Sequence, residues 1–126
     1  MRRLRITAGG VQAEAELNDS KTATAIWEAL PISAAASIWG DEIYLGIPIH
    51  VAEDGPRATV DLGDLGYWPP GNAFCIFFGP TPMSRTKEEI RPASPVNVLG
   101  KVSGDSGVFK RVRSGDMVTL ERVEQP

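Results

Sequence analysis

Hydrophobic and polar residues alternate at the start of the chain in a way that predicts a β-hairpin. The alternation runs through residues 3–6, breaks at Gly9 and Gly10, and resumes through residues 11–17. With the two glycines as the central residues of a tight turn, apolar positions face alanines and arginines face glutamates. The predicted cross-strand pairs are Ile6–Ala13, Leu4–Ala15, Arg5–Glu14 and Arg3–Glu16.

The next segment has the spacing of an amphipathic helix. Polar residues 18–20 offer capping oxygens, residues 21–30 carry apolar side chains at helical spacing, and Pro31 ends the predicted helix. Trp27 lies on the apolar stripe, so we expect it in the core. Residues 32–39 are small and weakly polar, and they fit either a short helical turn or an extended connector. The stripe consists of Ala23, Ile26, Trp27 and Leu30.

From residue 42 onward the chain has short β-type segments separated by Gly, Pro and Asp. A helical turn is predicted at residues 108–113. Many short strands and one clear helix favour a mainly β domain, a closed or nearly closed barrel with the helix packed on it. The predicted strands are residues 42–47, 49–51, 58–62, 73–78, 96–102 and 116–123.

The strand at residues 73–78 is apolar on both of its faces. Phe74, Ile76 and Phe78 share one face, and the opposite face carries Ala73, Cys75 and Phe77. One face therefore fills the barrel, and the other meets a second layer. Within this run the thiol is expected to behave as a buried small hydrophobe rather than as a reactive thiolate.

Composition and charge exclude several classes of function. A chain of 126 residues suits one domain, here residues 1–126, and a net charge of −3 without an extended basic cluster disfavours nucleic acid as a partner. A single cysteine permits neither an internal disulfide nor a cysteine-rich zinc site. No segment approaches the ~18 apolar residues of a membrane span. We therefore expect a cytoplasmic protein with no membrane association.

The titratable residues do not form a recognisable catalytic set. His50 is the only histidine, which removes most triads and metal sites, and we expect a structural or surface role for it. Asp41 and Glu42 point to opposite faces if both are extended, while Asp61 and Asp64 fit turns that accept backbone N–H bonds. Nucleotide-binding and nucleophile-elbow motifs are absent from the sequence. We predict no catalytic residue, no metal and no cofactor.

Four segments closely resemble the small prokaryotic cyclophilin-like proteins, atypical minimal members of the cyclophilin fold with no settled activity. The resemblance covers almost the whole chain in the same order. It implies a closed eight-stranded antiparallel β-barrel with one or two short helices, in agreement with the pattern above. The segments are WGDEIY at 39–44, GDLGYWPPG at 63–71, FFGPTPMS at 77–84 and PASPVNVLGKV at 92–102.

The cyclophilins that are peptidyl-prolyl isomerases are more distant in sequence. VLGKV at residues 98–102 looks like one of their strands, and residues 107–123 look like their final helix and strand. Their catalytic arginine would fall in residues 42–47, which contain no arginine, and their active-site histidine would fall near Val96. Rotation about the X–Pro peptide bond faces a barrier of ~18–20 kcal/mol. An isomerase lowers this barrier with a hydrogen-bond donor placed at the proline nitrogen. A rearranged isomerase would need a donor such as Arg57, Arg85 or Arg91.

The aromatic and proline-rich segments are the best candidates for a binding site. Tyr67 and Trp68 precede two prolines, and this rigid arrangement fits either the wall of an apolar pocket or a plug at one end of the barrel. The leading hypothesis is a barrel that binds a small molecule or short peptide without established catalysis. The rival hypotheses are a rearranged peptidyl-prolyl isomerase and an oligomeric interaction module, with the oligomeric state open. The expected ligand-binding residues are Tyr44, Trp68, Phe77, Thr81 and Met83.

Overall fold

The structure, a computed structural model, describes residues 2–123. One α-helix, α1, spans Lys21–Ala29, and two 3-10 helices span Pro69–Gly71 and Ser106–Arg111. The strands are β1 (Arg3–Ala8), β2 (Val11–Leu17), β3 (Ile32–Ala35), β4 (Ser37–Ile38), β5 (Glu42–Gly46), β6 (Asp64–Trp68), β7 (Ala73–Phe77), β8 (Asn97–Val102) and β9 (Met117–Arg122).

The strands form one antiparallel sheet that curls into a nearly closed barrel. Its order is β3-β9-β1-β2-β8-β6-β7-β5-β4. The two outermost strands are separated only by Ala36, so the single extended segment 32–38 pairs with β9 through its first half and with β5 through its second. The predicted mainly β barrel is therefore confirmed. The strand count is nine rather than eight because this segment, left open between turn and connector, is split at Ala36.

The N-terminal hairpin forms in the predicted register. All four predicted pairs are present, and Gly9 occupies the turn with φ of 57°. Arg3 forms ion pairs with Glu16 directly opposite, at 3.0 Å, and with the diagonal Glu14, at 3.1 Å. Arg5 does lie opposite Glu14, but the ion pair to that glutamate comes from Arg3.

Helix α1 begins and ends close to the predicted positions. The Ser20 hydroxyl caps it by accepting a hydrogen bond from the Ala23 N–H at 3.1 Å. Trp27 packs only half-buried against the core, and the Arg122 guanidinium lies 4.7 Å from its ring centroid. Among residues 2–123, no helix is both long enough and apolar enough to cross a membrane.

Two predicted strands are wrong, and one strand was missed in addition to the two in the undecided segment 32–39. Residues 49–51 and 58–62 are not strands; the Ile49 C=O and the Val51 N–H bond the Tyr67 hydroxyl instead of a neighbouring strand. Strand β6 lies between β8 and β7, in a stretch whose Gly and Asp residues were read as a turn. That turn exists, because the Asp64 carboxylate accepts the Asp61 N–H at 2.8 Å, but it ends where β6 begins.

The barrel has a packed interior and a second apolar cluster on its outer surface. As predicted, β7 contributes to both: Phe74 and Ile76 belong to the interior, and the alternate residues belong to the outer cluster. Segment 79–96 covers part of that outer face through Ile90 and Val96. The outer cluster consists of Val60, Ala73, Cys75, Phe77, Ile90 and Val96.

Candidate functional site

A pocket opens on the outer face of the barrel, beside the outer cluster. It lies between the β4–β5 hairpin, β6, β7 and segment 92–96, and its volume is about 260 Å³. Its walls are mostly apolar, with one carboxyl group among them. The lining residues are Trp39, Glu42, Tyr44, Trp68, Cys75, Pro92, Ala93 and Val96.

The β4–β5 hairpin turn brings three of these side chains together. The Glu42 N–H donates to the Trp39 carbonyl at 3.2 Å, and the Trp39 N–H donates to the Glu42 carbonyl at 2.9 Å. Gly40, at the first central position of the turn, has φ of 61°, the left-handed conformation that a type II′ turn requires there. Side chains of directly opposed residues share a face, and Tyr44 is two residues further along the same face. The turn therefore presents an indole, a carboxyl and a phenol on one side.

The floor of the pocket is formed by β7 and β6. Cys75 lies opposite Tyr44 on one side and Gly66 on the other. A Cβ atom on Gly66 would approach Val96 Cγ2 to 3.1 Å and Phe77 Cε2 to 3.2 Å. The absence of a side chain at this position therefore allows the covering segment to pack against the sheet beside the pocket.

Trp68, the last residue of β6, forms a fixed wall. Its Nε1–H donates to the Ser94 hydroxyl at 2.7 Å, which ties the ring to the covering segment. The backbone of Gly71 lies so close to the indole that a Cβ there would be 2.7 Å from a ring carbon. The ring is therefore held on the outer face, and it lines the pocket rather than plugging an end of the barrel.

Glu42 supplies the only carboxyl group of the pocket, and it is nearly buried. The residue is 6% exposed. Within residues 2–123 the hydrogen-bond donor beside its carboxyl is the weak Cys75 thiol, and the carboxyl oxygens are not sealed from solvent. Burial raises the pKa of Glu42 to about 7, while the neighbouring Cys75 thiol acts in the opposite direction as a weak hydrogen-bond donor. Near neutral pH the carboxyl group is therefore poised between its protonated and ionised forms.

Cys75 is an unreactive neighbour of that carboxyl. Burial raises the pKa of its thiol well above the ordinary value, and the charge of Glu42 and a hydrogen bond to that residue raise it further. The Cys75 Sγ atom also lies 3.8 Å from the Ala73 carbonyl oxygen, to which it can donate its one proton. Its hydrogen bond to Glu42 is therefore weak. The thiol stays protonated, in line with the predicted buried small hydrophobe.

The structure separates the five residues expected to bind a ligand. Tyr44 and Trp68 line the pocket, whereas Phe77 is fully buried beside it in the outer cluster. Thr81 is buried too, and its hydroxyl donates to a backbone carbonyl of the covering segment and accepts the Met83 N–H at 3.2 Å. Met83 is half-exposed and lies outside the pocket. Two of the five are thus brought together there.

Sequence reasoning missed Trp39, Glu42 and the residues of segment 92–96. One signal was available for Glu42: its strand neighbours β7, which is apolar on both faces, so an outward-facing residue on β5 lies under a second layer rather than in water. The expectation that Asp41 and Glu42 do not share a site agrees with the structure, because Asp41 sits in the turn and does not line the pocket.

The other candidate residues lie elsewhere. His50 is exposed, as expected, and its Nδ1 lies 2.9 Å from the Asn72 amide oxygen. Arg57 pairs through its backbone with Val96, and the Arg91 side chain forms an ion pair with Glu89 at 2.6 Å. Across residues 2–123, no three His, Cys, Asp or Glu side chains converge on a common point where a metal ion could bind.

Comparisons with known proteins identify relatives by sequence and by fold. The family model described as cyclophilin-like matches residues 2–121. Among solved structures, the hypothetical protein AF2241 from Archaeoglobus fulgidus is 44% identical, with 97% of this chain and 95% of that chain covered and a TM-score of 0.83.

McbB, solved in complex with tryptophan, is 13% identical with a TM-score of 0.74; the match covers 98% of this chain and 45% of that chain, and it concerns the fold alone. A search of the curated proteins finds no match.

Proposed function

Because the chain belongs to the cyclophilin-like family, we propose that its barrel is a scaffold for binding a small molecule in the outer-face pocket. The observation that carries the proposal is the convergence of three aromatic side chains, Trp39, Tyr44 and Trp68, around the one carboxyl group of the lining, that of Glu42. Ligand sites are typically concave and mostly apolar, with few polar groups that fix orientation. The proposal is for binding, without a chemical step.

The size of the pocket favours a small ligand. Its volume of about 260 Å³ lies just below the ~300–1,000 Å³ typical of sites for drug-sized molecules. A ligand of about ten non-hydrogen atoms, or one side chain of a short peptide, suits this space.

The arginines named for a rearranged isomerase lie outside the lining. Neither Arg57, Arg85 nor Arg91 belongs to the pocket wall, and Arg91 is already paired with Glu89. Isomerase catalysis requires a donor positioned at the proline nitrogen. The geometry therefore favours binding over this second hypothesis.

The indole N–H signals in a nuclear magnetic resonance spectrum provide the test. The protein has three tryptophans, of which Trp39 and Trp68 line the pocket while Trp27 lies on α1. A library of small aromatic and aliphatic compounds is titrated into the labelled protein. A ligand of the pocket should shift the signals of Trp39 and Trp68 and leave that of Trp27 unchanged.

Two variants then test whether contact with Tyr44 contributes to the affinity. Tyr44→Ala should weaken binding by about twofold to tenfold, since an aromatic contact contributes ~0.5–1.5 kcal/mol. Met117→Ala removes an exposed apolar side chain outside the pocket and serves as the control that keeps its affinity. The proposal is rejected if no compound shifts the two pocket indoles selectively, or if Tyr44→Ala binds as tightly as the parent.

A further inference from the structure

We infer that the ligand of this pocket is a small organic cation, a protonated amine carried on an apolar body of about ten non-hydrogen atoms. The inference rests on the proposed function and names the class of ligand. It follows from the chemistry of the carboxyl group, the aromatic walls and the absence of a protein cation from the lining.

Two carboxyl groups of the described chain are buried, Glu42 at 6% and Asp64 at 4% exposure. Asp64 accepts a backbone N–H at 2.8 Å and lies 3.6 Å from the Lys101 ammonium. Within residues 2–123 the Glu42 carboxyl has the weak Cys75 thiol as its hydrogen-bond donor and forms no ion pair, and it lines the pocket without being sealed from solvent. A carboxyl group in such surroundings either takes up a proton or is paired with a cation, and the pocket is the space in which a cationic partner would meet it.

The walls of the pocket are aromatic and carry no positive charge. Trp39, Tyr44 and Trp68 line the same space as the carboxyl group, and tryptophan and tyrosine rings attract cations through their electron-rich faces. The eight lining residues include no Lys, Arg or His. The protein thus places one negative group and three aromatic rings around the pocket and supplies no positive group of its own there. An ammonium ion is the ligand group that satisfies both features.

The affinity for such a ligand should depend on pH, because the charge of Glu42 does. The titratable groups that share the pocket with it are the Cys75 thiol on β7 and the Tyr44 phenol on β5, while β6 and segment 92–96 contribute none to the lining. The pKa of the thiol is raised, so the thiol stays neutral. An ammonium ligand binds the ionised carboxylate, and with a pKa of about 7 the ionised fraction falls about tenfold from pH 8 to pH 6. The affinity should fall with it.

A matched pair of probes tests the inference by calorimetry. 2-Phenylethylamine and 2-phenylethanol differ only in the ammonium and hydroxyl groups, and both are titrated at pH 8. The amine should bind at least about tenfold tighter, because hydrogen bonds to charged groups contribute ~1.5–3 kcal/mol. Its affinity should fall about tenfold at pH 6, whereas that of the alcohol should stay within about twofold.

Two variants identify the group responsible. Glu42→Gln keeps the size and removes the charge, so the preference for the amine and its pH dependence should both disappear. Glu28→Gln makes the same change on the exposed surface of α1 and should leave both unchanged. Thermal unfolding confirms that each variant is folded, and the pH profile of the parent protein tests the inference even if Glu42→Gln does not fold.

The outcomes separate this inference from the proposed function. If the alcohol binds as tightly as the amine and shifts the pocket indoles, the cation inference is wrong and the binding function stands. If neither probe nor any library compound reaches the pocket, both fail. A third titration compares 2-phenylethylamine with a dipeptide amide that begins with phenylalanine, at pH 7, where an α-amino group of pKa ~7.7–8.0 is mostly protonated. If it binds tighter than 2-phenylethylamine, the ammonium is that of a peptide terminus, and the free amine is wrong.

Discussion

Replacing Glu42 with glutamine should make the protein more stable at pH 8 and change its stability by less than about 1 kcal/mol at pH 5. The pKa of this carboxyl rises from 4.5, the reference value for an unfolded chain, to about 7 in the folded protein. Between these values the folded state binds more protons than the unfolded state, so the free energy of unfolding falls as pH rises. The contribution is fully present below pH 4.5 and is lost as pH passes through about 7. Glutamine does not ionise, so the variant does not lose this part of the free energy of unfolding as pH rises.

The size of the effect follows from the two pKa values. Their difference of about 2.5 units, at 1.36 kcal/mol per unit, corresponds to about 3 kcal/mol at pH 8. For a domain of 126 residues this equals a rise of roughly 10 °C in the melting temperature of the variant relative to the parent. Urea unfolding of both proteins at pH 5, 6, 7 and 8 gives the difference in free energy directly.

The comparison of variant and parent removes the contributions of the other titrating groups, which both proteins share. Glu28→Gln, on the exposed face of α1, provides a control whose difference from the parent should be flat over the same range. A difference for Glu42→Gln that stays constant within about 0.5 kcal/mol from pH 5 to pH 8 would refute the reasoning, because it would mean that the carboxyl ionises as freely in the folded chain as in the unfolded one.

Three further predictions concern the surroundings of the pocket and the core. Ser94→Ala removes the acceptor of the Trp68 indole and should cost about 1–2 kcal/mol in urea unfolding, with a shift of that indole N–H signal. Asn97→Ala breaks a buried amide network that reaches the Thr22 hydroxyl at 3.2 Å, and it should cost about 3 kcal/mol in the same assay. The Cys75 thiol should react with a disulfide reagent at least ~100-fold faster in urea than in the native protein; equal rates would contradict its burial.

The parts of the fold that were predicted correctly depend on local signals. The N-terminal hairpin has two turn glycines and matching apolar and charged pairs, and α1 has a cap, a stripe and a terminating proline. Strand β6 was missed because a true turn at Gly63 directly precedes it and because Gly66 has no side chain to show the alternation. A side chain at position 66 would collide with Val96 and Phe77. Both residues lie outside β6, so the sequence around Gly66 does not show why a glycine is needed there.

The site was predictable only in part, for a related reason. The resemblance and the aromatic content pointed to Tyr44 and Trp68, which do line the pocket. Motif similarity does not specify which way each side chain of a loop faces, and Thr81 turned out to support the backbone of its own loop. Alternation separated Asp41 from Glu42 but did not say which of them faces a pocket, because whether the outer face of β5 meets water depends on segment 92–96 folding across it.

A structural role and a binding role for Glu42 differ in what they require of its surroundings. Structural buried polar groups are paired, as Asp64 and Asn97 are, and removing either partner leaves the other unsatisfied. Ionised Glu42 costs about 3 kcal/mol, a large share of the ~5–15 kcal/mol that stabilises a typical domain, without a comparable set of bonds in return. Residues that break a local rule without local compensation are characteristic of functional sites. A cationic ligand would offset that cost, so its stabilising effect should be largest above pH 7, where Glu42 is ionised and destabilises the empty protein.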